Sequence, residues 1–277
     1  MQGTQSRTGF ELPTGESLGL ITSPVIRPAA FPGAELQRLE YSCRGDRVPC
    51  TLLSPAASAP GDSRRPLVLL QPEARDRTSA PLPERTRDWI EAGCAVATID
   101  LPLQGVRRSA KQSELLAGSM QAAARGAPLE HAEGLLWCEF TRQAVLELRR
   151  TLDVLTELPH VDPERIGFAG FGIGGFTGAI LCAVDSRPCA AVLAATGGGF
   201  APPEIDPARY VGAIAPRPLL LVNEKQASPG ASGIGVSTSA AKLLHDAANE
   251  PKRVEWRADA AQAHDAAWLF LSPLLGL

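Results

Sequence analysis

The sequence predicts an α/β protein whose mostly parallel, doubly wound sheet carries helices on both faces. Three observations predict it. Short apolar runs such as PLVLLQ (66–71) and RPLLLVN (217–223) have the length and composition of strands buried on both sides. These runs alternate with segments of helical periodicity, the pattern of repeated β-α units. No internal repeat and no break in composition divides the 277 residues, a length that suits one large domain.

Each element can be justified in order. Residues 1–35 are rich in Gly, Pro, Ser and Thr and read as a loosely structured lead-in, with 36–277 as the domain. ELQRLEYSCRGDRVPCTLLSP reads as two strands around the turn Arg44-Gly45-Asp46. After a Pro/Ser/Gly loop, PLVLLQ is a buried-type strand. ERTRDWIEAG follows as a short helix stopped by Gly93, and CAVATIDLP as a second strand. Residues 103–137 form a longer connection, or a lid, with weak helical character over 113–124.

The clearest helix is CEFTRQAVLELRRTLDVLTEL, in which Phe140, Ala144, Leu148, Leu152 and Leu155 recur at three- and four-residue steps. RIGFAG is the next strand, and GGFTGAILCAV the helix after it. CAAVLAA and RPLLLVN are two more buried-type strands. A helix over 237–248, a strand over 253–257 and a helix over 265–271 complete the chain.

Composition bounds the function. Hydrophobic residues at 44% against 21% charged supply a sizeable core. A net charge of −3, with both signs mixed along the chain, argues against a nucleic-acid partner. No apolar run is long enough to span a bilayer, which argues against a membrane partner. The polar N-terminus lacks the order of a signal peptide, so a cytoplasmic location is expected. Six cysteines without C-x-x-C spacing suit reduced core thiols, with a Cys43–Cys50 bridge as the alternative. No His/Glu/Asp cluster has metal spacing and no phosphate-cradling lysine motif occurs, so no cofactor is expected.

The stretch IGFAGFGIGGFT (166–177) admits two readings. Gly170, Gly172 and Gly175 spell the dinucleotide pattern G-x-G-x-x-G. That reading needs an acidic residue at the tip of the next strand to hold the ribose, and CAAVLAATGGG has none. In the other frame, Gly170-Phe171-Gly172-Ile173-Gly174 is the nucleophile elbow G-x-S-x-G with glycine in place of serine.

Around that elbow, VDPERIGFAGFGIGG resembles the nucleophile stretch of the α/β-hydrolase superfamily. The resembling branch contains dienelactone hydrolases, acetyl xylan esterases and prolyl oligopeptidase-like enzymes. GCAVATIDLPLQGVR resembles that family's strand ending in Asp-x-Pro-x-His-Gly. IAPRPLLLVNEKQ resembles the strand before its catalytic acid, and AQAHDAAW the loop carrying its catalytic histidine. The resemblance spans residues 40–272 and implies an α/β-hydrolase fold.

The resemblance also assigns positions. Gly172 is the vacant nucleophile position, and neither Thr177 nor Cys138 stands in for the hydroxyl. Gln226 occupies the acid position. Glu224 lies two residues before it, and Glu204 or Asp206 are alternatives after the previous strand. Gln71-Pro72-Glu73 stands where relatives carry a His-Gly pair for the oxyanion, and Gln104 where they carry histidine. His264 is the retained base position, while His131, His160 and His245 need no catalytic explanation. The expected binding positions are Gln71, Glu73, Ile173, Gln104 and Glu224.

Three functions remain open from the sequence. The leading one is a pseudo-hydrolase that binds a small molecule or a protein partner. The second is a lyase, isomerase or cyclase with His264 as base, assisted by Glu73 or Glu224. The third is an esterase or dienelactone-type hydrolase with a shifted site or a water nucleophile.

Overall fold

In a computed structural model, which describes residues 9–56, 64–73, 82–224, 236–257 and 260–277, the alternating runs become one nine-stranded sheet. Its first strands are β1 (Ile21–Thr22), β2 (Ala34–Cys43), β3 (Asp46–Pro55), β4 (Arg65–Gln71) and β5 (Ala95–Ile99). The later ones are β6 (Val161–Phe171), β7 (Ala190–Ala194), β8 (Leu219–Glu224) and β9 (Lys252–Arg257). The helices are α1 (Arg87–Glu91), α2 (Ala110–Ala124), α3 (His131–Thr156), α4 (Ile173–Val184), α5 (Thr238–Ala247) and α6 (Ala260–Leu274). The spatial order is β1-β2-β3-β5-β4-β6-β7-β8-β9, antiparallel as far as β5 and parallel from there on.

Side-chain alternation sorts each central strand between two cores. Leu67 and Leu69 face one core with α2, α3, α4 and α5, while Val68 and Leu70 face the other with α1 and α6. Phe168 and Phe171 divide the same way on β6. Successive residues pointing to opposite buried faces explain why these strands read as unbroken apolar runs.

The elements predicted from periodicity form, with differences that have local causes. Helix α3 begins two turns earlier than its apolar spacing suggests. Glu130 and Glu133 close a reciprocal capping box ahead of a stretch interrupted by Gly134. Helix α6 also starts earlier, because the Ala-rich run before Trp268 favours helix. The lead-in is tied down from residue 9 onward: β1 pairs with β2, and Phe10 is buried edge-on against Tyr210. All six cysteines are free, so the Cys43–Cys50 alternative is not realised. In the β2–β3 register Cys50 lies opposite Leu39, and Cys43 opposite Asp46.

The 103–137 connection contains α2 and the first turns of α3. Its start is fixed by a buried ion pair. Arg107 donates to both carboxylate oxygens of Glu147 on α3, at 2.6 and 2.8 Å, and Gln143 donates to the same group at 2.8 Å. Burial pushes the Glu147 carboxyl up, and the Arg107 guanidinium pulls it back. The connection after β5 is thereby held against α3 at the rim where the strands end.

Candidate active site

The chain reverses direction across the sheet at β4. From β4 it crosses through α1 to β5 on one side, then through α2 and α3 to β6 on the other. Such a switch point opens a crevice beyond the strand ends, where ligands of doubly wound sheets bind. β4 and β6 are paired there, with Gln71 opposite Gly170. Two residues further along each strand stand Glu73 and Gly172.

Gly172 is the pivot between β6 and α4, at φ 55° and ψ −115°. Its N–H donates to the Ala194 carbonyl of β7 at 2.9 Å, and its carbonyl accepts from the Phe176 N–H at 2.9 Å. One residue thus ends the sheet ladder and starts the helix. This left-handed conformation is costly for residues with a side chain and easy for glycine.

The flanking glycines answer to space instead. A Cβ on Gly170 would lie 2.4 Å from the Gly174 carbonyl oxygen, and one on Gly174 would lie 2.2 Å from that of Gln71. The pattern G-x-G-x-G is therefore a packing requirement of an elbow, not a phosphate loop. At Gly172 the atoms nearest to an added Cβ would be those of Glu73, with Cγ at 3.2 Å, Cβ at 3.7 Å and Cα at 3.8 Å. The stem of Glu73 lies over the position from which a nucleophile would project.

Gln71 is buried, and its amide is turned sideways onto β5. Nε2 donates to the Ile99 carbonyl at 3.0 Å, while Oε1 accepts from the Ile99 N–H at 3.2 Å and the Thr98 hydroxyl at 3.3 Å. It extends the β4–β5 ladder with a side chain. Pro72, next in the chain, has no N–H to donate. Ile173 is buried at the first turn of α4, among the backbone donors that a helix leaves without internal partners. Gln104 is half-buried on the connection after β5, with its N–H donating to the Leu101 carbonyl.

His264 lies in the first turns of α6, not in a loop as the resemblance implies. Its ring stacks on Phe171, the residue before the elbow, with centroids 3.8 Å apart and planes inclined by 16°. Trp268, one turn on, meets Trp89 of α1 edge-on at 4.7 Å and fixes α6 against α1. Burial and the nearby Arg85 guanidinium push the His264 imidazole down to about 4, against a weaker opposite pull from Asp265. Arg85 and Asp265 form an ion pair with each other. A triad histidine is oriented by a carboxylate that stabilises the imidazolium formed as it takes up the proton; here burial and Arg85 disfavour that charged form.

Gln226, the expected acid position, lies outside the described residues. Glu224 ends β8, half-buried and opposite Arg257. Asp206 caps a 3₁₀ turn, accepting from the Gly199 N–H at 2.6 Å and the Ala208 N–H at 2.9 Å, and Glu204 is exposed. Among the described residues no group of three or more His, Cys, Asp or Glu side chains is gathered to hold a metal.

His245 lies in the last turn of α5. It is buried, 2.9 Å from the Asn223 amide and edge-on to Trp256. The signal was present in the sequence, since His245 falls in helical phase with Ala241 and Leu244. Two open clefts flank Phe200 on the rim beyond β7. One, of about 730 Å³, is bordered by His131, Cys138, Arg142 and Glu204; the other, of about 580 Å³, by Arg125, Ser237 and Leu243.

No protein-family model matches the chain, and none of the curated proteins matches it. Solved structures do. The PEG-bound complex of a cold-adapted esterase from an Arctic intertidal metagenomic library is 17% identical, covers 91% of this chain and 94% of its own, and superposes with a TM-score of 0.63. The acetyl xylan esterase from Paenibacillus sp. R4 is 15% identical over 93% of this chain and 89% of its own, at a TM-score of 0.69. The α/β hydrolase GrgF from Penicillium sp. sh18 is 14% identical over 87% and 99%, at 0.62. The chain has the α/β-hydrolase fold.

Two outcomes test this geometry. In urea denaturation Gly172→Ala should cost about 1–2 kcal/mol, chiefly the penalty of a left-handed backbone, since the Glu73 stem that its methyl group meets is a side chain. Gly174→Ala should cost more, about 3 kcal/mol, because its methyl group meets a fixed carbonyl. Equal costs would contradict the packing assignment. For His264 the unfolded chain takes up its proton near pH 6.5 and the folded chain only near 4. Stability should therefore fall on acidification through that window, and His264→Gln should flatten the slope. An unchanged slope in the variant would show that the imidazole is not held neutral.

Proposed function

With the α/β-hydrolase fold as premise, we propose that this protein no longer carries out serine-type ester hydrolysis and uses its rim to bind a small molecule. One observation carries the reading: the elbow is intact in backbone geometry while its pivot is Gly172, covered by the stem of Glu73. Covalent catalysis of this type needs an activated hydroxyl, a base poised near working pH and donors for the oxyanion. The hydroxyl is missing, the histidine sits beside a cation, and Pro72 offers no N–H where relatives have a donor. The clefts beside Phe200 support binding, since small-molecule sites occupy roughly 300–1,000 Å³. A cytoplasmic location belongs to the same proposal; no helix among the described residues is long and apolar enough to cross a membrane.

The test is hydrolysis of 4-nitrophenyl acetate by the wild type, His264→Ala, and the double variant Gly172→Ser with Gln226→Asp. The wild type should show no turnover that depends on His264. Turnover in the range of about 1–10³ s⁻¹, abolished by His264→Ala, would overturn the proposal.

A further inference from the structure

We propose that the cleft of about 730 Å³ beside Phe200 takes an organic ammonium ligand, with its apolar body on the cleft walls and its charge at Glu204. This rests on the reading above, that the rim binds a small molecule. One wall is a face of α3, where Gly134, Cys138 and Arg142 recur at four-residue steps beside Leu135. The other wall belongs to the segment after β7 and carries Phe200, Pro202 and Glu204. The walls approach each other at Gly134, where an added Cβ would lie 3.9 Å from Cγ of Pro202. Leu135 leaves 58% of its surface exposed. Phe200 is half-buried, with Trp137 and Phe176 packed near its ring at centroid distances of 6.0 and 6.3 Å. An apolar ligand body would remove these side chains from water.

The charges on the α3 wall are engaged with one another. Arg142 donates to Glu139 at 3.0 Å, and Arg44, beyond the cleft, donates to Glu139 at 3.1 Å and lies near the Glu16 carboxylate. Glu130 is committed to the capping box of α3. Glu204 differs: it is exposed and enters no ion pair among the described residues. Its charge is felt inside the cleft, since after burial it is the largest influence pushing the Cys138 thiol up. A carboxylate-bearing ligand would meet Glu204 and find Arg142 already engaged. An ammonium group would meet a charge-assisted acceptor. At an exposed carboxylate that preference is modest, and the apolar walls supply most of the affinity.

Phenylbutylamine, phenylbutanol and phenylbutyrate share one body and differ in head group, and the amine is protonated at pH 7. Each is titrated into the isotope-labelled full chain, with backbone amide shifts locating the site and giving the Kd. The amine should shift the amides of Leu135, Cys138 and Phe200 and bind about fivefold tighter than the alcohol, with the carboxylate weakest. Glu204→Gln should abolish the advantage of the amine and leave the alcohol unchanged, whereas Leu135→Ala should weaken all three probes. The melting temperature of each variant separates loss of the contact from loss of the fold. No shift by the amine at this cleft, an amine that binds no tighter than the alcohol, or a folded Glu204→Gln that keeps the preference would each overturn the inference. Alcohol binding at the cleft without preference for the amine would leave the small-molecule reading standing, and ester turnover in the same samples decides the loss of hydrolysis separately.

Discussion

The architecture of the rim depends on how closely the first turn of α4 approaches the strand tips. The backbone of Gly174 touches the Gln71 carbonyl of β4, and that of Gly170 touches Gly174 itself. No side chain fits between these surfaces, so β4, β6 and α4 meet backbone to backbone. The contact fixes the pivot at Gly172 in its left-handed conformation, and the hydrogen bond from Gly172 to Ala194 ties β7 to the same point. The sharp strand-to-helix turn around Gly172 is thus a consequence of packing.

That separation of scaffold from chemistry explains which features could be read in the sequence. Strand, turn and helix around residues 166–177 were legible because apolar runs and glycine spacing are local signals. The buried stripe of α3 at Phe140, Ala144, Leu148, Leu152 and Leu155 was legible for the same reason. The start of α3 was not, since its cap is a Glu–Glu exchange around residues of mixed propensity. Gln71 could not be recognised as an extension of the sheet, because its partner Ile99 lies on another strand. The cover that Glu73 forms over Gly172 depends on the register of strands about a hundred residues apart. His264 was found by its position, but its helix and its neutral state follow from the packing of α6 on α1.

Electrostatics and sterics at the rim point the same way. A serine hydrolase assembles a hydroxyl, a histidine supported by a carboxylate, and donors for an oxyanion. This rim assembles a glycine, a histidine stacked on Phe171 beside Arg85, and a glutamate over the pivot. Two solved esterases and an α/β hydrolase at 14–17% identity share the fold, and the fold alone does not carry their chemistry.

The central claim, that the elbow displays no nucleophile, is tested most directly by covalent trapping. Intact-mass measurement after incubation with a fluorophosphonate, which phosphonylates activated serines, should return the unmodified wild-type chain. A stoichiometric adduct on any serine of the wild type, lost on replacing His264, would contradict the account.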